Sequence, residues 1–127
     1  MKVNVINELI GKTPLQIDVR EDSIVFHFED SKYGFFPDEC YLNDASIFVE
    51  DINGDVLDLI GHPILKAEST SSTERPKGSM PHDSYSHQEW TFYHIASIKG
   101  NVTIRWYGGS DEYSTSVSFI KIKDQSL

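Results

Sequence analysis

The sequence predicts a mainly β domain, all-β or β-dominated α+β: an antiparallel sheet, sandwich or open barrel with one or two short helical turns. Three observations predict it. Apolar residues alternate with polar ones over Leu15–Val19, Ile24–Phe28 and Val102–Trp106, the two-residue period of a strand with one buried face. β-branched and aromatic residues gather in short runs divided by Gly, Pro, Asn and Asp, which is the punctuation of hairpins. The segments at helical spacing are brief.

Taken in order, Val3, Ile6, Leu9 and Ile10 sit at helix-like spacing and predict a short helix or turn that Gly11 stops. Pro14 fits the start of a strand. Leu15, Ile17 and Val19 then share a face, Glu21-Asp22 break the run, and Ile24, Phe26 and Phe28 resume it, so a hairpin is expected. Tyr33 to Phe36 reads as a short strand ended by Pro37, and Ser46 to Glu50 as another. Residues 51–55 read as a turn with Asn53-Gly54 at its sharpest point. Val56 to Ile60 reads as a helical turn stopped by Gly61, and Pro63 to Ala67 as a return strand. Residues 69–88, with Pro76, Gly78 and Pro81, read as a long mobile loop, a length usually reserved for functional or disordered segments. Trp90–Ile98, Val102–Tyr107 and Tyr113–Ile122 close the chain as three strands, expected to pair consecutively as a meander.

A chain of 127 residues fits a single domain spanning 1–127. Its 7 Phe, 6 Tyr and 2 Trp supply enough apolar area to order it. With one cysteine, Cys40, no internal disulfide can form, and a reducing, cytoplasmic setting is the simplest expectation. No apolar run is long enough for a secretory leader or a membrane span, so no membrane association is expected. The net charge of −9 lies entirely in residues 1–64, which hold 13 Asp/Glu against 4 Lys/Arg. An acidic surface argues against direct nucleic-acid binding, because phosphate neutralisation needs lysine and arginine. It suits a basic protein partner, or simply solubility.

The stretches VEDINGDVLDLIGHPILKAE (49–68) and EWTFYHIASIKGNVTIRWYGGSDEYS (89–114), with Leu9-Ile10-Gly11-Lys12-Thr13 before them, resemble an uncharacterised family of small proteins common in bacteriophages and related mobile elements. The likeness covers most of residues 9–122. Around Phe35 to Asn43 the chain departs from it: the family often carries adjacent cysteines there, and this chain has Cys40 alone. The resemblance implies a phage-type genomic setting and no reaction.

Two groups of residues are candidates for function. Asp51, Asn53, Asp55 and Asp58 gather oxygen donors, but Val56 and His62 stand where a calcium loop needs its glycine and its closing glutamate. Asp51, Asn53 and Asp55 are therefore either ligands of a loose divalent-ion site or an Asx-stabilised turn. Glu50 and Asp51 could do acid–base work together, yet strand neighbours point to opposite faces. Arg105 and Tyr107, with Trp106, are residue types that dominate binding hot spots. Alternation groups Tyr93, Thr103, Arg105 and Tyr107 on an exposed face, and Trp90, Phe92, Ile104 and Trp106 on a core face. The histidines lack the spacing of a zinc motif, and no G-x-S-x-G or phosphate-binding glycine loop occurs. The expectation is a non-enzymatic accessory protein without a cofactor. It binds a host protein through an acidic or aromatic surface of Glu50, Asp51, Asp55, Asp58, Tyr93, Thr103, Arg105 and Tyr107. A nucleotide-like ligand held by the aromatic residues and Arg105 is the alternative, and a metal-dependent enzyme the third reading.

Overall fold

A computed structural model describes residues 6–37, 45–79, 87–110 and 117–122. Their order is a 3-10 turn at Ile6–Leu9, β1 (Gln16–Val19), β2 (Ile24–His27), β3 (Lys32–Pro37), β4 (Ala45–Asn53), a 3-10 turn at Val56–Leu59, β5 (Lys66–Ser72), β6 (His87–Ser97), β7 (Gly100–Ser110) and β8 (Val117–Ile122). The strands form two antiparallel four-stranded sheets, ordered β1-β2-β3-β8 and β4-β7-β6-β5. Of the expected arrangements, antiparallel sheet, sandwich or open barrel, the two packed antiparallel sheets are observed, and among the described residues no barrel closes. Among those residues, too, no helix is long and apolar enough to cross a membrane.

The alternation seen in the sequence is what makes the sandwich. Ile24, Phe26, Phe35 and Phe119 project from the first sheet; Tyr93, Ile95, Val102, Ile104 and Trp106 project from the second; together they form one buried cluster. Aromatic rings carry the contact between layers. Phe35 meets Tyr93 at 4.2 Å between centroids and Phe119 at 4.3 Å, and Phe26 packs edge-on to Phe35 at 5.8 Å. Burying each such side chain stabilises the fold by roughly 1.5–3 kcal/mol. Ile6 and Leu9 from the first turn, with Leu59 and Ile64, extend the cluster.

Several boundaries differ from the sequence reading. The last three strands do not form a meander. β6 pairs with β7, but β8 leaves for the first sheet, where Phe119 faces Phe35. The vacated side of β7 is taken by β4. Residues 51–53, read as a turn, continue β4 and pair with β7. The expected loop 69–88 is shorter, because Ser69–Ser72 and His87–Gln88 are paired in β5 and β6; residues 80–86 lie outside the described residues. So do Cys40 and residues 113–116 of the expected last strand. Gly54 does make the turn at the end of β4. Its φ of +107° is disfavoured for side-chain residues, and a Cβ there would run into the Asn101 carbonyl.

The first turn is tied to the sandwich by polar groups. Tyr33 donates its hydroxyl hydrogen to Glu8 at 3.0 Å, and the Lys12 ammonium lies over the Phe28 and Tyr33 rings at 5.8 and 5.7 Å. Burial, reinforced by Glu8, raises the Tyr33 hydroxyl above its ordinary pKa of 10.0. The folded chain thus holds that proton more tightly than the unfolded chain does. The associated stability is complete below pH 10 and is lost as the pH climbs towards the folded-state value. Tyr33→Phe is expected to flatten the fall in melting temperature between about pH 9 and about pH 11. An unchanged slope would show that Tyr33 contributes nothing to alkaline unfolding.

Candidate functional site

The outer face of the second sheet, turned away from the core, is where the candidate residues meet. The register places Phe48, Tyr107 and Trp90 in one cross-strand row, and Asp51, Arg105 and Phe92 in the next. Asn53, Thr103 and His94 form the third. The pairing of β4 slips between Val49 and Asp51, leaving Glu50 as the extra residue of a β-bulge. A bulge interrupts the two-residue period. Phe48 points out, Val49 packs against the core, and Glu50 and Asp51 then both serve the outer face. The expectation that these two neighbours point to opposite faces is thereby corrected.

Arg105 joins them. Its Nε donates to Glu50 Oε1 at 2.5 Å, and its Nη1 lies 3.9 Å from Asp51 Oδ2. Glu50 Oε2 accepts from Ser79 Oγ at 2.8 Å and from Trp90 Nε1 at 3.5 Å. Only 8% of the Glu50 side chain and 15% of the Arg105 side chain remain exposed, against 53% for Asp51. Trp90 and Tyr107 are 1% exposed, and their rings meet edge to face at 5.5 Å. The Phe48 ring lies 5.4 Å from that of Tyr107. This is an ionic and aromatic cluster buried outside the main core, and Ser79, from the segment that follows β5, bonds to its Glu50. Residues 73–79 form a strap from β5 to the Glu50 side chain. It opens on a turn in which Glu74 N–H donates to Ser72 Oγ, and it returns through Pro76, Gly78 and Ser79 to Glu50.

Two sequence expectations change here. The face of Thr103, Arg105 and Tyr107 is not open, since Tyr107 is covered and Arg105 is sealed against Glu50. Tyr93 is not on it. Its register partner is Ile104, so it points into the core, where its hydroxyl donates to the Val117 carbonyl at 3.2 Å. The outward set on β6 is Trp90, Phe92 and His94 instead. His94 stacks on Phe92 with 7° between planes, and its Nδ1 and Nε2 lie 3.3 and 3.2 Å from Thr103 Oγ1 and Thr70 Oγ1.

The residues of 51–58 separate. Asp55 caps the second 3-10 turn, accepting from Leu57 N–H at 2.9 Å. The Asp58 carbonyl accepts from Ser97 Oγ, and its carboxylate lies over Gly100. Asn53 stands opposite Thr103. Of the ion-site candidates, Asp55 is thus an Asx cap, and among the described residues no three His, Cys, Asp or Glu groups gather around one point. Sequence reasoning did not include Trp90, Phe48 or Ser79 in the site. The bulge that unites them has no marker in VEDIN, and Ser79 is one of many loop serines.

Residues 7–119, from the first turn to β8 and including every residue of this cluster, match the family described as a domain of unknown function, DUF7448. The chain belongs to that family. No curated protein and no solved structure matches it. The bulged β4, the Arg105 pair and the strap are therefore features of a DUF7448 domain, read from this chain's own geometry.

Proposed function

We propose that this DUF7448 chain is a non-enzymatic accessory protein of phage or mobile-element type, acting in the cytoplasm by binding a basic protein partner. The observation that carries the proposal is an acidic corner built from distant segments. The Val49 N–H donates to the Glu21 carbonyl at 2.7 Å. That bond sets the exposed Glu21-Asp22 turn beside Glu50 and Asp51 on β4. The corner lies in the half of the chain that holds all of the −9 charge. The geometry favours this acidic surface over an aromatic one, since Trp90 and Tyr107 are covered and Tyr93 is in the core. It also favours protein binding over the clasp of a nucleotide base. Trp90 and Tyr107 pack on each other, and Arg105 is committed to carboxylates. The guanidinium between Glu50 and Asp51 occupies the space where paired catalytic carboxylates would hold a substrate. The same charge argues against direct contact with nucleic acid.

Capture from host lysate tests the reading. Partner retention is expected at about 0.1 M salt and lost near 1 M, as the screening length falls from about 10 Å to about 3 Å. The doubly reversed variant Glu21→Lys, Asp22→Lys should capture nothing at either salt. Retention that ignores both salt and charge reversal would count decisively against the acidic corner.

A further inference from the structure

We infer that two copies of this chain associate through the end of the sandwich where the β6–β7 hairpin, the second 3-10 turn and the loops entering β1 and β5 meet. This contact is separate from the acidic corner. Among the described residues seven large aliphatic side chains are exposed, and five of them belong to this end: Ile10, Leu15, Leu57, Leu65 and Ile98, each between 52% and 78% exposed. Hydrogen bonds fasten the segments that carry them. Ser97, beside Ile98, donates its hydroxyl hydrogen to the carbonyl of Asp58, beside Leu57. Leu65 N–H donates to Ala96 O, Gly11 N–H to Ile64 O and Gly61 N–H to Pro14 O, each at 2.8 Å. The backbone N–H groups of Ile10, Leu15 and Leu57 are bonded within the fold as well. Ordered backbone thus presents these side chains, which lowers the entropy lost when a partner covers them.

Charge and area select the occupant. The segments carrying the five side chains hold three acidic groups, Glu8, Asp55 and Asp58, and three lysines, Lys12, Lys66 and Lys99. The β2–β3 turn, joined to this end by Leu15 N–H to His27 O, adds Glu29, Asp30 and Lys32, so the end carries −1 of the chain's −9. An anionic membrane surface attracts a basic excess, and a basic protein attracts an acidic one. A near-neutral patch with both signs can complement itself across a two-fold axis, where every contact is made twice. Repulsion between the copies is small, because the acidic corner is remote. The Glu21 carbonyl is bonded to Val49, whose register partner Trp106 lies six residues along β7 from Gly100. At about 3.4 Å per strand residue the corner stands about 20 Å from the contact, twice the screening length of about 10 Å at about 0.1 M salt. Five side chains exposed to this degree present on the order of 500 Å² of apolar surface, near the upper limit for a monomer. That is less than the about 800 Å² each partner gives a standard interface, so the dimer is weak and reversible. Both acidic corners stay open in it.

Sedimentation equilibrium of the full chain tests the contact. Dimer is expected to dominate at about 0.1 mM and monomer at about 1 µM, the range of a small interface. Association should persist at about 1 M salt, where a contact between charges is screened. Leu57→Gln with Ile98→Gln should weaken it at least about hundredfold, since each change acts twice across the two-fold contact. Both side chains are exposed, so the melting temperature of this variant at about 1 µM should equal the parent's. Leu65→Gln carries the test if it does not. Glu21→Lys, Asp22→Lys should dimerise like the parent, which separates this contact from the acidic corner. Three results overturn the dimer: a monomer at the higher concentration, a dimer that dissolves at the higher salt, or one that Leu57→Gln with Ile98→Gln leaves intact. A monomer that instead floats with phosphatidylcholine vesicles, and loses them on the same substitutions, would give this end to lipid and overturn it too.

Discussion

Arg105→Ala is expected to destabilise the domain by about 3 kcal/mol, seen as a lower urea midpoint at unchanged slope. The guanidinium and the Glu50 carboxylate are almost wholly removed from water, with 15% and 8% of their side chains exposed. Removing one partner of a buried ion pair typically costs about 3–5 kcal/mol. The lower end applies because Ser79 and Trp90 still donate to Glu50 Oε2. Replacing both partners, as Arg105→Met with Glu50→Gln, should cost less than the two single changes together, with a coupling above about 1 kcal/mol. Asp51→Ala is the contrast. Its carboxylate is 3.9 Å from Arg105 and 53% exposed, so solvent screens the contact and the change should stay within about 0.5 kcal/mol. Equal costs for Arg105→Ala and Asp51→Ala would show that the pair is not shielded from water.

The contrast between Glu50 and Asp51 also marks where sequence stops being legible. Period-two alternation determines a strand's faces so long as the backbone keeps its register. It located the core contributions of Ile24, Phe26, Ile104 and Trp106 correctly. One inserted residue at Glu50 reverses the assignment of everything after it on β4, and neither residue type nor spacing announces it. β6 failed differently. In WTFYHIAS both faces carry large or aromatic residues, because Tyr93 and Ile95 meet the core while Trp90 packs on Tyr107 in the outer cluster. Alternation then cannot distinguish Trp90-Phe92 from Tyr93-Ile95 as the inward set, and only pairing with β7 decides it. Topology was hidden for a related reason. β8 carries an apolar face that suits either sheet, and its partner β3 lies more than eighty residues earlier in the chain. Local signals were sufficient where the cause is local, as at Asp55 capping its turn and Gly61 ending it with φ +82°.

Phe35→Ala is expected to have the largest effect in the molecule, about 4 kcal/mol. The ring is fully buried and touches both layers, with Phe26 and Phe119 on its own sheet and Tyr93 across the gap. Truncation removes the transfer energy of the ring and leaves a void that neighbouring rings can fill only in part. Domains of this size are stable by about 5–15 kcal/mol in total, so the variant should be marginal at physiological temperature. Ile98→Ala supplies the control, since that side chain is 78% exposed and its loss should lie within about 0.5 kcal/mol. The decisive measurement is a double-mutant cycle of Phe35→Leu with Tyr93→Leu, which reports on the two layers acting as one core. A tilted aromatic pair at 4.2 Å should couple by about 0.5–1.5 kcal/mol beyond area burial. Zero coupling, together with separate unfolding transitions for the two sheets, would mean that the layers fold independently. Phe35 would then be a residue of the first sheet alone.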